Sequence, residues 1–153
     1  MKDILTKEHI IKYGVKNDLL CTEHNNNSVV KKITYKDGKL FTGLVYKLNN
    51  NGDIRYYGYY KNGCSHGLFV KFYNSGALES IETHKFGLLS GIKQVRFKNG
   101  KVKSIGEYKY SICLHEMLWD ERGILLKQKL APTEKELFVI NEIYQYFKRN
   151  GRE

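Results

Sequence analysis

The chain is poor in residues that break strands or tie them covalently. It holds a single proline, and its three cysteines (Cys21, Cys64 and Cys113) are odd in number and form no Cys-x-x-Cys pair. A disulfide framework is therefore not expected, and reduced thiols acting as small packing residues fit better. No apolar run reaches the roughly 18 residues that a membrane-spanning helix needs. The opening stretch, Met1-Lys-Asp-Ile-Leu-Thr-Lys-Glu-His9, lacks the apolar core and small-residue cleavage site of a signal peptide, so a cytoplasmic chain is expected. Sequence signatures of catalysis are missing as well: there is no P-loop, no Gly-x-Gly-x-x-Gly after a strand, no His-Glu-x-x-His and no Gly-x-Ser-x-Gly. The expectation is a protein that is not an enzyme and needs no cofactor.

Acidic residues are scarce, 16 against 26 Lys and Arg, for a net charge of +10. From Lys39 to Ser111, 12 basic residues face four acidic ones (Asp53, Glu79, Glu82, Glu107), so 12 − 4 = +8 of that charge lies there. Two readings stay open: clustered Lys and Arg release counterions from a phosphate backbone, and a lysine- and asparagine-rich composition also solvates a sheet face without any partner.

What the chain does have is 12 Tyr, 7 Phe and 14 Gly, a composition that favours strands and turns. The glycines are periodic. Gly43, Gly67 and Gly91 are spaced by 24, with His115 at the next step; Gly52, Gly76 and Gly100 keep the same interval, and Gly123 continues it one residue short. Each unit holds two β-rich runs around a turn, as in Leu44 to Leu48 and Ile54 to Tyr60 around Asn49-Asn-Asn-Gly52. Asn51-Gly52, Asn62-Gly63, Asn99-Gly100 and Asp37-Gly38 supply the positive φ of tight turns. Turns this frequent, with no helical segment between them, predict antiparallel neighbours in one continuous meander and leave no length for parallel crossovers. A half copy precedes at Val29 to Gly38, and the fourth copy decays after Leu118-Trp119.

The flanks differ. Thr133-Glu-Lys-Glu136 is a capping box before Leu137, Ile140, Ile143, Tyr144 and Phe147, which predicts a helix over about 133–148 packed on the last repeat. Thr6 to Gly14 predicts a short N-terminal helix stopped by the glycine. The expected organisation is thus an N-terminal flank over 1–28, a repeat domain over 29–130, and a C-terminal helix and tail over 131–153.

The stretch Tyr59-Tyr-Lys-Asn-Gly-Cys-Ser-His-Gly-Leu-Phe-Val-Lys-Phe-Tyr-Asn-Ser-Gly-Ala-Leu-Glu-Ser80 resembles the MORN-repeat variant of bacterial YwqK-like antitoxins, and Phe97-Lys-Asn-Gly-Lys-Val-Lys-Ser-Ile-Gly106 resembles the same unit. The likeness spans most of the repeat region. It implies an extended curved sheet of stacked hairpins, no catalytic residues, and a role as an immunity protein that neutralises a cognate toxin. Eukaryotic MORN proteins, by contrast, act as scaffolds or membrane-associated modules. The fourth copy and both flanks depart from the pattern, and partner-specific surface is expected there.

Two constellations invite chemistry. Cys64-x-His66 and Cys113-x-His115 could ligate zinc, but they lie two units apart, which at about 4.8 Å per strand separates them by roughly 20 Å. The aromatic cluster Tyr46, Tyr56, Tyr57, Tyr59, Tyr60, Phe69, Phe72, Tyr73 serves either cross-strand pairing or binding. Tyr56 and Tyr57 are adjacent and point to opposite faces, so in a single-layer sheet at least one is exposed. On that reasoning Tyr46, Arg55, Tyr57, Tyr59, Lys71, Tyr73, Arg96 and Trp119 are the expected partner-binding residues. The expected partner is a toxin with an acidic surface; nucleic acid or anionic lipid bound through the same basic repeats is the alternative.

Overall fold

The structure is a computed structural model that describes residues 4–23 and 30–152. Helix α1 (Lys7–Tyr13) is followed by β1 (Val15–Lys16), a short 3-10 turn, β2 (Cys21–Glu23) and β3 (Lys32–Thr34). Then come four hairpins: β4 (Gly43–Leu48) with β5 (Ile54–Lys61), β6 (Cys64–Phe72) with β7 (Leu78–Lys85), β8 (Leu88–Arg96) with β9 (Val102–Lys109), and β10 (Ile112–Trp119) with β11 (Leu125–Lys129). Helix α2 (Glu134–Arg149) ends the chain. Strands β4 to β11 pair in sequence order, all antiparallel, and form one curved nine-stranded sheet together with β1. Among the described residues, no helix is long and apolar enough to cross a membrane.

The 24-residue period is visible in the hydrogen bonds. At one end of the sheet the turns at 49–53, 73–77, 97–101 and 120–124 repeat one pattern, a glycine N–H donating three residues back (Gly52 to Asn49, Gly76 to Tyr73, Gly100 to Phe97, Gly123 to Asp120). At the other end sit two-residue turns whose central residues both have positive φ: Asn62–Gly63, Phe86–Gly87 and Tyr110–Ser111. This is the turn whose twist matches a hairpin. Register shifts recur at Lys47/Leu48, Lys71/Phe72, Val95/Arg96 and Leu118/Trp119, one per hairpin.

Three additions clamp this sheet. On one face, α1 buries Ile10 against Leu44, Tyr46, Tyr57 and Val70. Thr6 caps α1 by accepting from His9 N–H, and Gly14 ends it, as its sequence predicted. On the other face, Ile33 and Phe41 enclose Val45. At the two-residue turns, Ile140 and Phe147 of α2 pack on Tyr110, with Phe86, Leu88 and Ile112 around them. Phe86 and Tyr110 hold φ values of 53° and 51°, which side chains rarely adopt, and their rings are what α2 covers. The capping box of α2 forms as read, Thr133 accepting from Glu136 N–H and Glu136 accepting from Thr133 N–H. Its seat differs from the expectation: α2 crosses the turn ends of two hairpins rather than the last repeat alone, and Leu137 is left exposed.

Two further expectations are corrected. The half copy keeps its turn, with Gly38 N–H donating to Tyr35 O, but β3 pairs with β2 in a separate two-stranded sheet and docks on the Asn62–Gly63 turn through Ile33 N–H to Gly63 O. Its residue Val29 lies outside the described residues. The sheet is also not wholly antiparallel, because β1 runs parallel to β4 through Val15↔Val45 and Lys16↔Tyr46. The length argument holds between repeats; the chain from β1 to β4 is long enough for a crossover and carries β2 and β3 within it.

Candidate partner-binding surface

Opposed residues on neighbouring strands share a face. One row crosses the whole sheet: Tyr46, Tyr57, Val70, Ile81, Gln94, Ile105, Met117, Gln128. Its exposure changes along the way. Tyr46, Tyr57 and Val70 are 9, 0 and 0% exposed, whereas Ile105 and Met117 reach 38 and 41%. The cause is α1, which covers this face only at the first hairpins. Beyond it Ile92, Ile105, Met117, Trp119 and Leu130 line an open depression of about 400 Å³ that is mostly apolar. Isolated exposed apolar residues need no explanation, but contiguous ones mark interaction surfaces.

The charged and titratable side chains in the wall of this depression are Glu107, His115, Glu116 and Lys129. All four carboxylates between Lys39 and Ser111 are engaged: Asp53 by Lys7, Glu79 by Arg55, Glu82 by Lys71, Lys93 and His84, and Glu107 by His115. The uncompensated cations therefore gather where no acid is near in sequence. At the β8–β9 turn Arg96, Lys98, Lys101 and Lys103 follow one another, Lys98 over the Tyr73 ring and Lys103 over the Phe97 ring. Arg96 shares the apolar face with its neighbour Gln94, to which it donates, and its guanidinium also donates to Gly100 O.

The opposite face carries a polar network that the sequence reading missed. Glu82, 4% exposed, accepts from Lys71 (3.1 Å), His84 Nε2 (3.1 Å) and Ser80 (3.2 Å), with Lys93 at 3.3 Å. Burial pushes its carboxyl up, but the His84 bond and the two lysines outweigh this and hold it well below the usual carboxylate range. Ser65 Oγ bonds His84 Nδ1 at 2.8 Å, so serine, histidine and glutamate stand in triad order. Glu82 is shared among Lys71, Lys93 and Ser80 as well as His84, however, and the network ties β6, β7 and β8 together. We read the network as structural. The signal that could have found it is the period itself. Position 82 is glycine one repeat earlier and later, at Gly58 and Gly106. A Cβ on Gly58 would run into the Phe69 ring, so there the glycine makes room for an aromatic; at 82 the same row holds an ion pair with Lys93 instead.

The eight expected partner-binding residues divide. Tyr46 and Tyr57 belong to the core: α1 buries both, and the Tyr57 hydroxyl accepts from Leu5 N–H at 3.0 Å. For the pair Tyr56-Tyr57 the expectation of an exposed ring fails, because α1 covers one face of the first hairpin and Ile33 and Phe41 close on the other. Tyr59 is 37% exposed. Arg55 and Lys71 are held by Glu79 and Glu82, and Tyr73 donates to Arg96 O at 2.7 Å. Only Trp119 lines the depression. The Cys64–His66 and Cys113–His115 pairs sit on β6 and β10 with three strands between them and are not brought together. No family model matches the chain, and comparison with curated proteins and with solved structures gives no match either.

Proposed function

We propose that this is a non-catalytic binding protein that occludes a protein toxin bearing an acidic surface, using the apolar depression around Ile105, Met117 and Trp119 as its contact surface. The observation that carries the reading is the change along one sheet row, from a fully buried Tyr57 to an exposed Ile105 and Met117. An aromatic and aliphatic centre with charge at its rim is the arrangement of an interface core, and Trp119 supplies the residue type most often found to anchor one. The cations at Arg96, Lys98, Lys101 and Lys103 would steer an acidic partner toward it. The toxin as partner rests on the resemblance of the repeats to YwqK-like antitoxins.

The test is co-expression with the product of each neighbouring gene that is toxic to the cell when expressed alone. The chain should restore growth, and Ile105→Asp should abolish the rescue while leaving the fold intact; rescue that survives Ile105→Asp would remove this face from the account. The basic β8–β9 turn, with its cation–aromatic contacts, favours one second reading, binding of nucleic acid or anionic lipid as a scaffold. Salt separates the two. Phosphate binding should fall steeply with ionic strength, and an apolar protein contact should not.

A further inference from the structure

A second concavity lies at the opposite end of the hairpins and is built from three distant stretches of chain. Lys32 and Leu40 come from the half copy, Lys61, His66 and Phe86 from the first two-residue turns and their strands, and Arg152 from the tail after α2. They enclose about 580 Å³, within the range of small-ligand sites. Three of these side chains are cationic, and among the described residues no carboxylate is in the wall. Among the described residues Lys32 and Lys61 form no ion pair, and the Arg152 guanidinium contacts only a ring face, that of Phe147 at 5.8 Å. Like charges brought together by folding repel one another, and a bound anion relieves that repulsion. Leu40 and Phe86 give the cavity an apolar wall that simple anions do not need.

We propose that this cavity is a binding site for a soluble phosphate ester of nucleotide size, its phosphates held by Lys32, Lys61 and Arg152 and its apolar body set against Leu40 and Phe86. The site is separate from the apolar depression and stands or falls without it. His66 reports on occupancy. Burial first, then Lys61 and Lys85, holds its pKa below the ordinary histidine value, and an anion among these cations would bring it back up.

The test is an NMR titration of the full chain with ATP, pyrophosphate and adenosine, following the amides of Lys61, His66 and Phe86 and the His66 ring. Expected are saturable shifts with ATP, weaker binding of pyrophosphate, no binding of adenosine and a raised His66 pKa in the ATP complex. Lys61→Glu should weaken ATP about tenfold or more, and Lys32→Gln, a milder change, should weaken it less. Lys98→Glu, at the far basic turn, should leave it unchanged. Shifts that do not saturate, a His66 pKa that ATP does not move, or equal weakening by Lys98→Glu and Lys61→Glu would overturn the proposal.

Discussion

The first and third hairpins are built from the same repeat, yet one is core and the other is surface. Leu44, Tyr46 and Tyr57 of the first hairpin and Val70 of the second lie beneath α1, while Val45 is closed from the other side by Ile33 and Phe41. Ile92 and Ile105 of the third hairpin occupy the rows of Leu68 and Ile81, one repeat on, and remain open, Ile92 at 53% exposure. The period therefore specifies strands, turns and faces, but not burial. Burial comes from the flanks: α1 and the β2–β3 segment spend their apolar residues on the first hairpins, and α2 spends its own on the turns. An apolar row that continues past its cover is available to a partner.

The largest effect is expected from removing the row where it is buried. Tyr57→Ala should destabilise the fold by about 3–5 kcal/mol in denaturant melts, since it empties a fully buried ring site and orphans Leu5 N–H. Ile105→Ala, in the same row, should cost no more than about 1 kcal/mol. Equal losses would erase the contrast between the halves.

Next comes Glu82. Glu82→Gln should cost about 2–3 kcal/mol at neutral pH, because Lys71 and Lys93 lose the negative charge they share, and one of the two acceptor oxygens becomes an amide donor facing Lys71 or His84. The carboxyl is depressed in the fold, so its contribution is fully present above the ordinary glutamate pKa and is lost as pH falls below it toward the depressed folded value. The variant should accordingly show a flatter acid limb than the native chain when melting temperature is followed from pH 6 to pH 2. An unchanged limb would show that the network contributes no net stability.

A smaller effect tests the clamp at the turns. Thr133→Ala removes half of the capping box and should cost about 1 kcal/mol, read as earlier loss of α2 helicity in hydrogen exchange. The rest of the sheet should be little affected if α2 only covers the turn ends.

Much of this was legible from residues. The glycine spacing gave the hairpins, Asn62-Gly63 gave a tight turn, and Thr133 with Glu136 gave the start of α2. Where the reading failed, the deciding contact was remote in sequence. Nothing in Tyr56-Tyr57 foretells that Ile10 and Leu5 settle over the second ring, 52 residues away in the case of the Leu5 hydrogen bond. Strand β1 joins the sheet in parallel through only two residues, too few to carry a pattern. The Glu82 network was within reach, because a buried carboxylate standing where Gly58 and Gly106 stand is a break in an otherwise regular column.

The most direct test of the central claim pairs two measurements on Ile105→Asp: the melting temperature of the chain, and its affinity for the toxic protein that the co-expression test identifies as its partner. The account predicts a melting temperature within a few degrees of the native chain together with a loss of affinity of about a hundredfold or more. A melting temperature that collapses as for Tyr57→Ala would make Ile105 core, and an affinity that does not change would place the partner elsewhere; either result contradicts the claim.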